Sequence, residues 1–142
     1  MRLPLPRSWP GTYRSEPMTD DQLVQAALDA RNHAHAPYSN FKVGAALLAD
    51  DGRVFPGNNV ENAAFGLCNC AERSAFFNAI SAGAAPRTFK RLAVVGGTDA
   101  PIAPCGACRQ VMIELGGPQL AVVLANLRGA REMTTAGALL PG

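Results

Sequence analysis

Cys68–Ile80 reads CNCAERSAFFNAI. Two cysteines, a glutamate and an arginine stand immediately before an apolar run. From Cys70 the pattern turns helical, with Ala75, Phe76, Asn78, Ala79 and Ile80 following, and it ends near Gly83. Cys70, Glu72 and Arg73 are therefore placed at a helix N-terminus. One explanation is structural, a buried thiol ahead of a helix whose first turn favours an acid. The other is chemical, a metal ligand with a carboxylate beside it.

Outward from this stretch, helices alternate with apolar strands. TDDQLVQAALDAR opens on the capping residues Thr19 and Asp20 and carries apolar positions at helical spacing. FKVGAALLADDGRVFPGNNV reads as a hairpin turning at Asp50-Asp51-Gly52. ENAAFGLCN is a loop. FKRLAVVGG and QLAVVLAN are buried strands, and between them PCGACRQVMIELGG starts as a turn and becomes a short helix ended by Gly116. GALLPG is too short to assign. The alternation predicts a single α/β layer domain.

The chain has 142 residues, 48% of them hydrophobic, which suits one core. A net charge of +2 and 6% aromatic residues give no basic, aromatic groove for nucleic acid. No apolar run approaches the roughly 20 residues that span a bilayer. Residues 1–17 hold four of the 11 prolines and no periodicity, and are expected to form a flexible tail ahead of a domain at 18–142. Without an export signal the expected compartment is the cytoplasm. There, cysteines point to metal or catalysis rather than disulfides.

The four cysteines are Cys68, Cys70, Cys105 and Cys108. Cys105 and Cys108, in Pro-Cys-Gly-Ala-Cys ahead of a helical run, place both sulfurs on one side. On its own a Cys-x-x-Cys pair fits zinc, redox chemistry or two inert thiols. Cys70 supplies a third thiol at a second helix start. Three thiolates at two positive helix ends suit zinc and leave one coordination position open, as catalytic sites do. Cys68, two residues from Cys70, is read as a small buried hydrophobe, and His33 and His35 as surface residues. Glu72 is placed to move a proton at the open position without binding the metal. Zinc with three thiolates carries a formal charge of −1, which weakens its electrophilicity. Arg73, or failing that Arg109, is positioned to offset it.

A Cys-Ala-Glu followed about 35 residues later by Pro-Cys-x-x-Cys is the known signature of the zinc nucleobase deaminases, in the version with cysteine in place of histidine. With APYSNFKVGAALL, GNNVENAAF, APCGACRQV and LLPG, the sequence from about Met18 onward resembles the small homotetrameric cytidine deaminases of pyrimidine salvage. The resemblance implies a three-layer α/β/α fold with a mixed five-stranded sheet and helices on both faces. It implies hydrolytic deamination of cytidine and 2′-deoxycytidine to uridine and 2′-deoxyuridine with release of ammonia. One zinc per chain would sit on Cys70, Cys105 and Cys108, with Glu72 as proton shuttle. Asn59 and Glu61 would hold the ribose hydroxyls, Phe41 would pack on the pyrimidine, and backbone groups around Ala63 and Ala71 would read the base edge. Family members often carry tyrosine where Phe65 stands, and many continue past LLPG with a phenylalanine that closes over a neighbour's site. Rival readings are deamination of a cytosine nucleoside antibiotic, which the ribose-type NNVEN opposes, and a zinc-stabilised binding module in which Glu72 is incidental.

Overall fold

The computed structural model describes residues 18–140, so the Pro-rich segment 1–17 and the last two residues lie outside the described residues. The element order is α1 (Asp20–Arg31), β1 (Val43–Ala49), β2 (Val54–Asn58), α2 (Ala71–Ser81), β3 (Phe89–Gly96), α3 (Gly106–Val111), β4 (Ala121–Asn126), β5 (Arg131–Thr135) and α4 (Ala136–Leu139). A 3₁₀ turn, Phe65–Leu67, precedes α2, and a π turn, Met112–Gly116, extends α3. The strands form one sheet in the order β2-β1-β3-β4-β5. The β3–β4 pair is parallel and the other pairs are antiparallel, so the five-stranded sheet is mixed as expected.

Alternation along the central strands builds two cores. Val43, Ala45, Leu47, Leu92, Val94, Val122 and Leu124 face α2, α3 and α4, joining Phe76, Met112 and Ala136. Ala46, Leu48, Ala93, Val95, Val123 and Ala125 face α1, joining Leu23, Val24 and Ala27. The strands at the middle of the sheet are buried on both sides, which explains their continuous apolar composition. Pro56 is tolerated inside β2 because β2 is an edge strand.

Helix α1 begins with a capping box between Thr19 and Gln22. It packs tightly because β1 carries Gly44, where a Cβ would stand 1.9 Å from the Ala27 carbonyl oxygen. The hairpin β1–β2 turns as predicted at Asp50–Gly52, with Gly52 at φ 91°. Strand β5 has no counterpart in the sequence reading. Its residues, REMTT, are mostly exposed, and it is fixed by the backbone ladder to β4 and by the Arg131–Asp21 ion pair. Asn126 shapes the β4–β5 turn by accepting from the Arg128 and Ala130 N–H groups. GALL, too short to assign from sequence, lies in α4, capped by Thr135, and at its end.

Candidate metal and nucleoside site

Cys70 is the N-cap of α2 and Cys105 the N-cap of α3. The Cys105 sulfur accepts the Cys108 N–H at 3.4 Å, a thiol in the role usually taken by a cap oxygen. Cys105 Sγ stands 3.1 Å from Cys108 Sγ and 3.7 Å from Cys70 Sγ. Among the described residues, Cys70, Cys105 and Cys108 are the group whose ligand atoms converge, all within 4.8 Å. Tetrahedral zinc with Zn–S near 2.3 Å requires sulfurs about 3.8 Å apart. The Cys70–Cys105 separation of 3.7 Å matches that value, the Cys105–Cys108 pair at 3.1 Å would open slightly around the ion, and the all-sulfur donor set suits zinc.

Arg73 is one helical step of three from Cys70, and its Nη2 donates to Cys70 Sγ at 3.2 Å. Its Nε is buried with no partner. The Cys70 thiol falls from 9.0 to about 5, first through a hydrogen bond with Cys108, with Arg73 and Cys105 adding and burial opposing. The thiolate, the ligating form, is thus favoured before any metal arrives. Cys108 moves the other way, raised by the same hydrogen bond with Cys70 and by burial. The opposite shifts of Cys70 and Cys108 are what two close thiols show when one hydrogen bond joins them. Glu72, 4% exposed, lies beside them. Burial, the largest influence, and the Cys70 charge raise its pKa, against a hydrogen bond with Cys108 and the charge of Arg73.

Arg109 does not join this cluster. Its Nε donates to the Pro104 carbonyl at 2.9 Å and its Nη1 to the Leu139 carbonyl at 2.9 Å. One residue after Cys108, it points about 100° further round the helix. It ties the loop before Cys105 to the end of α4. Cys68 also differs from expectation. It is half-buried rather than buried, and its sulfur accepts from the Asn62 N–H at 3.3 Å and faces the Asn62 carbonyl at 3.5 Å. It lies outside the three-cysteine group, its sulfur engaged with the Asn62 backbone in the loop leading to α2. His33 and His35 are exposed.

The segment Asn59–Asn62 runs beside this centre. Val60 exchanges both backbone hydrogen bonds with Asn69, the neighbour of Cys70, each at 2.9 Å. On its other side, His35 N–H donates to Asn59 C=O at 3.0 Å and Glu61 N–H to His35 C=O at 2.8 Å. Asn59 donates from Nδ2 to the Phe41 carbonyl at 2.8 Å and accepts the Val43 N–H at 2.8 Å. Glu61 accepts the N–H groups of Tyr38 and Ser39 and the Ser39 hydroxyl. Phe41 is 39% exposed, Ala63 is exposed, and Ala71 is fully buried as the first residue of α2. Sequence reasoning missed Ser39, Tyr38 and Arg31, whose Nε donates to the Lys42 carbonyl at 3.0 Å. Each acts on a segment distant in sequence, and no local pattern announces it.

Residues 17–124 match the family model described as the cytidine and deoxycytidylate deaminase zinc-binding region. A protein of Sporosarcina psychrophila named cytidine deaminase is 51% identical over 125 residues, covering 88% of this chain and 90% of that one. One of the same name from Halalkalibacterium halodurans is 50% identical, covering 88% and 93%. Among solved structures, the cytidine deaminase from Burkholderia pseudomallei superposes with a TM-score of 0.87 at 64% identity, over 87% of this chain and 98% of that one. That from Mycobacterium leprae gives 0.76 at 39% identity, covering 89% and 100%. Likeness of sequence and of fold extends across nearly all the described residues, and the chain belongs to the cytidine and deoxycytidylate deaminase family.

Proposed function

We propose that the protein catalyses hydrolytic deamination of cytidine and 2′-deoxycytidine to uridine and 2′-deoxyuridine, releasing ammonia, as a step in pyrimidine salvage. The observation that carries this reading is the convergence of three cysteine sulfurs within 4.8 Å at two helix starts, with a buried carboxyl beside them. Cys70, Cys105 and Cys108 hold the metal. A zinc ion bound there supplies Lewis acidity and an activated water at neutral pH.

Glu72 takes a proton from the attacking water and delivers it to N3 of the cytosine ring. As the water oxygen bonds to C4, Glu72 takes the second proton from that oxygen and passes it to the amino group, so that the C4–N bond breaks, the C4 carbonyl forms and ammonia leaves. Burial raises the Glu72 pKa, so its carboxyl holds a proton more readily than an ordinary one, which suits a group that accepts a proton and returns it. Arg73 offsets thiolate charge through Cys70. Glu61 and Asn59 take the ribose hydroxyls, Phe41 lies against the pyrimidine, and backbone groups around Ala63 and Ala71 meet the base edge. The bridge from Val60 to Asn69 supports this division, because it sets the ribose loop beside the first ligand.

The active assembly in this reading is a homotetramer. Phe65 and Leu67, 91% and 71% exposed on the turn before α2, are the kind of apolar surface that a second copy covers. A cytoplasmic location fits three thiols that must remain reduced. Zinc content and the loss of cytidine absorbance test the reading together. Glu72→Gln should keep zinc and lose deamination, whereas a zinc-stabilised binding module would be indifferent to that change.

A further inference from the structure

We infer that Ser39 is a positioning residue of the nucleoside pocket, its hydroxyl joining the Glu61 carboxylate to the backbone of Phe41. The inference rests on the reading that Glu61 receives the ribose 3′-OH and Phe41 the pyrimidine.

Pro37 to Lys42 are all exposed, so apolar burial does not fix this segment. Hydrogen bonds do. The Ser39 hydroxyl donates to Glu61 Oε2, and its oxygen accepts the Phe41 N–H at 3.0 Å. The Ser39 N–H donates to Glu61 Oε1 at 3.1 Å, and the Tyr38 N–H to the same oxygen at 3.0 Å. Asn40, at φ 57°, closes the turn by donating to the Ala36 carbonyl at 2.9 Å. Asn59 then holds the Phe41 carbonyl at 2.8 Å. Phe41 is therefore gripped at its N–H by Ser39 and at its C=O by Asn59.

A carboxylate offers about four lone-pair directions. Glu61 spends two on Oε1 and one on Oε2, so the direction left for a ligand hydroxyl is on Oε2. The Ser39 hydroxyl occupies that oxygen's other lone pair. It fixes the carboxylate's rotation and with it the aim of the free lone pair. The same hydroxyl sets the angle at which Phe41 leaves the turn. One side chain thus registers the ribose contact against the base contact. The competing role for Ser39 is that of a turn residue bonding its own backbone two positions on, which would affect stability alone.

The test compares kcat and KM for the full-length wild type, Ser39→Ala and Ser39→Thr, with cytidine and with 3′-deoxycytidine. The wild type should prefer cytidine roughly tenfold, the scale of one charge-assisted hydrogen bond. Ser39→Ala should shrink that preference to about twofold, with the loss on cytidine falling on KM more than on kcat, and Ser39→Thr should restore most of it. If the wild type does not distinguish the two nucleosides, the assignment of Glu61 to the 3′-OH fails. If it does and Ser39→Ala keeps the full preference, that assignment stands and Ser39 is a turn residue only.

Discussion

Gly57 of β2 lies directly beneath Ala71, the first residue of α2: a Cβ built on Gly57 would stand 2.3 Å from the Ala71 carbonyl oxygen and 2.4 Å from the Ala75 nitrogen. The contact is backbone against backbone, so no rotamer change relieves it. It fixes the height of the α2 N-terminus, and therefore of Cys70, above the sheet. Gly57→Ala should destabilise the protein by at least about 1–3 kcal/mol, the scale of overpacking. It should also lower zinc content, since Cys70 must shift. Gly66→Ala, where nothing lies within 4 Å, is the control. Thermal unfolding and zinc analysis of both variants check this. Equal behaviour of the two would mean that the approach of α2 does not depend on Gly57.

The cysteines make a second contrast. Cys68→Ala should leave about one zinc per chain, because Cys68 bonds Asn62 and not the cluster. Cys70→Ala should empty the site and lower stability, since metal binding is coupled to local folding. Zinc content after dialysis reads both. A Cys68→Ala protein as metal-poor as Cys70→Ala would put Cys68 among the ligands.

Glu72→Gln keeps the shape of the side chain and removes its proton chemistry. Deamination should fall by roughly 10²–10⁴-fold, the range for a lost general acid–base group. Zinc content should not change. A modest loss of rate with zinc retained would relieve Glu72 of its role.

Glu61 carries a pH dependence with a defined sign. The Ser39 hydroxyl is the first cause holding its carboxyl below the ordinary 4.5, with the Ser39 and Tyr38 amides and the charge of His35 adding and desolvation opposing. A lowered carboxyl pKa means that the ionised, hydrogen-bonded form is fully present above the ordinary value and is lost as pH falls through the lowered one. Cytidine KM should therefore hold steady down to pH 4.5 as far as this group is concerned, and rise only below it. Glu61→Gln should have a higher KM for cytidine at neutral pH and no such acid rise. KM measured against pH for both proteins decides it.

The site was legible in the sequence where chemistry and helical spacing coincide. Cys105 and Cys108, three apart at a helix start, converge because that spacing shares a face, and Arg73 reaches Cys70 for the same reason. The same geometry separates Arg73 from Arg109, whose adjacency to Cys108 turns it away. Strand β5 left no signal, because REMTT lacks alternating apolar residues and depends on β4 for its pairing. Ser39 was equally silent. Its partner Glu61 lies 22 positions away, and only the fold brings them together. The proposed nucleoside contacts built on the turn at 38–41 are therefore a tertiary feature, whereas the three-cysteine cluster is written in two local motifs.

Arg73 and Arg109 should respond in opposite directions to removal. Arg73 donates to Cys70 Sγ, and in the proposed reading it acts on the metal through that thiolate. Without it the thiolates are less neutralised, so Arg73→Ala should lower kcat by roughly 10–100-fold, the scale of altered outer-sphere support. The fuller thiolate charge should at the same time hold zinc more tightly, so release to a chelator should slow. Arg109 instead clamps the Pro104 carbonyl to the Leu139 carbonyl. Arg109→Ala should cost about 1–3 kcal/mol of stability for its charged hydrogen bonds and loosen the loop that carries Cys105, so zinc release should quicken. Arg109→Lys, which keeps charge but not the two-armed reach, should fall between wild type and Ala. Chelator-driven zinc release beside kcat, for each single variant, separates the two roles. Faster release from Arg73→Ala with normal kcat would make Arg73 a packing residue and leave the thiolate charge to the helix ends alone.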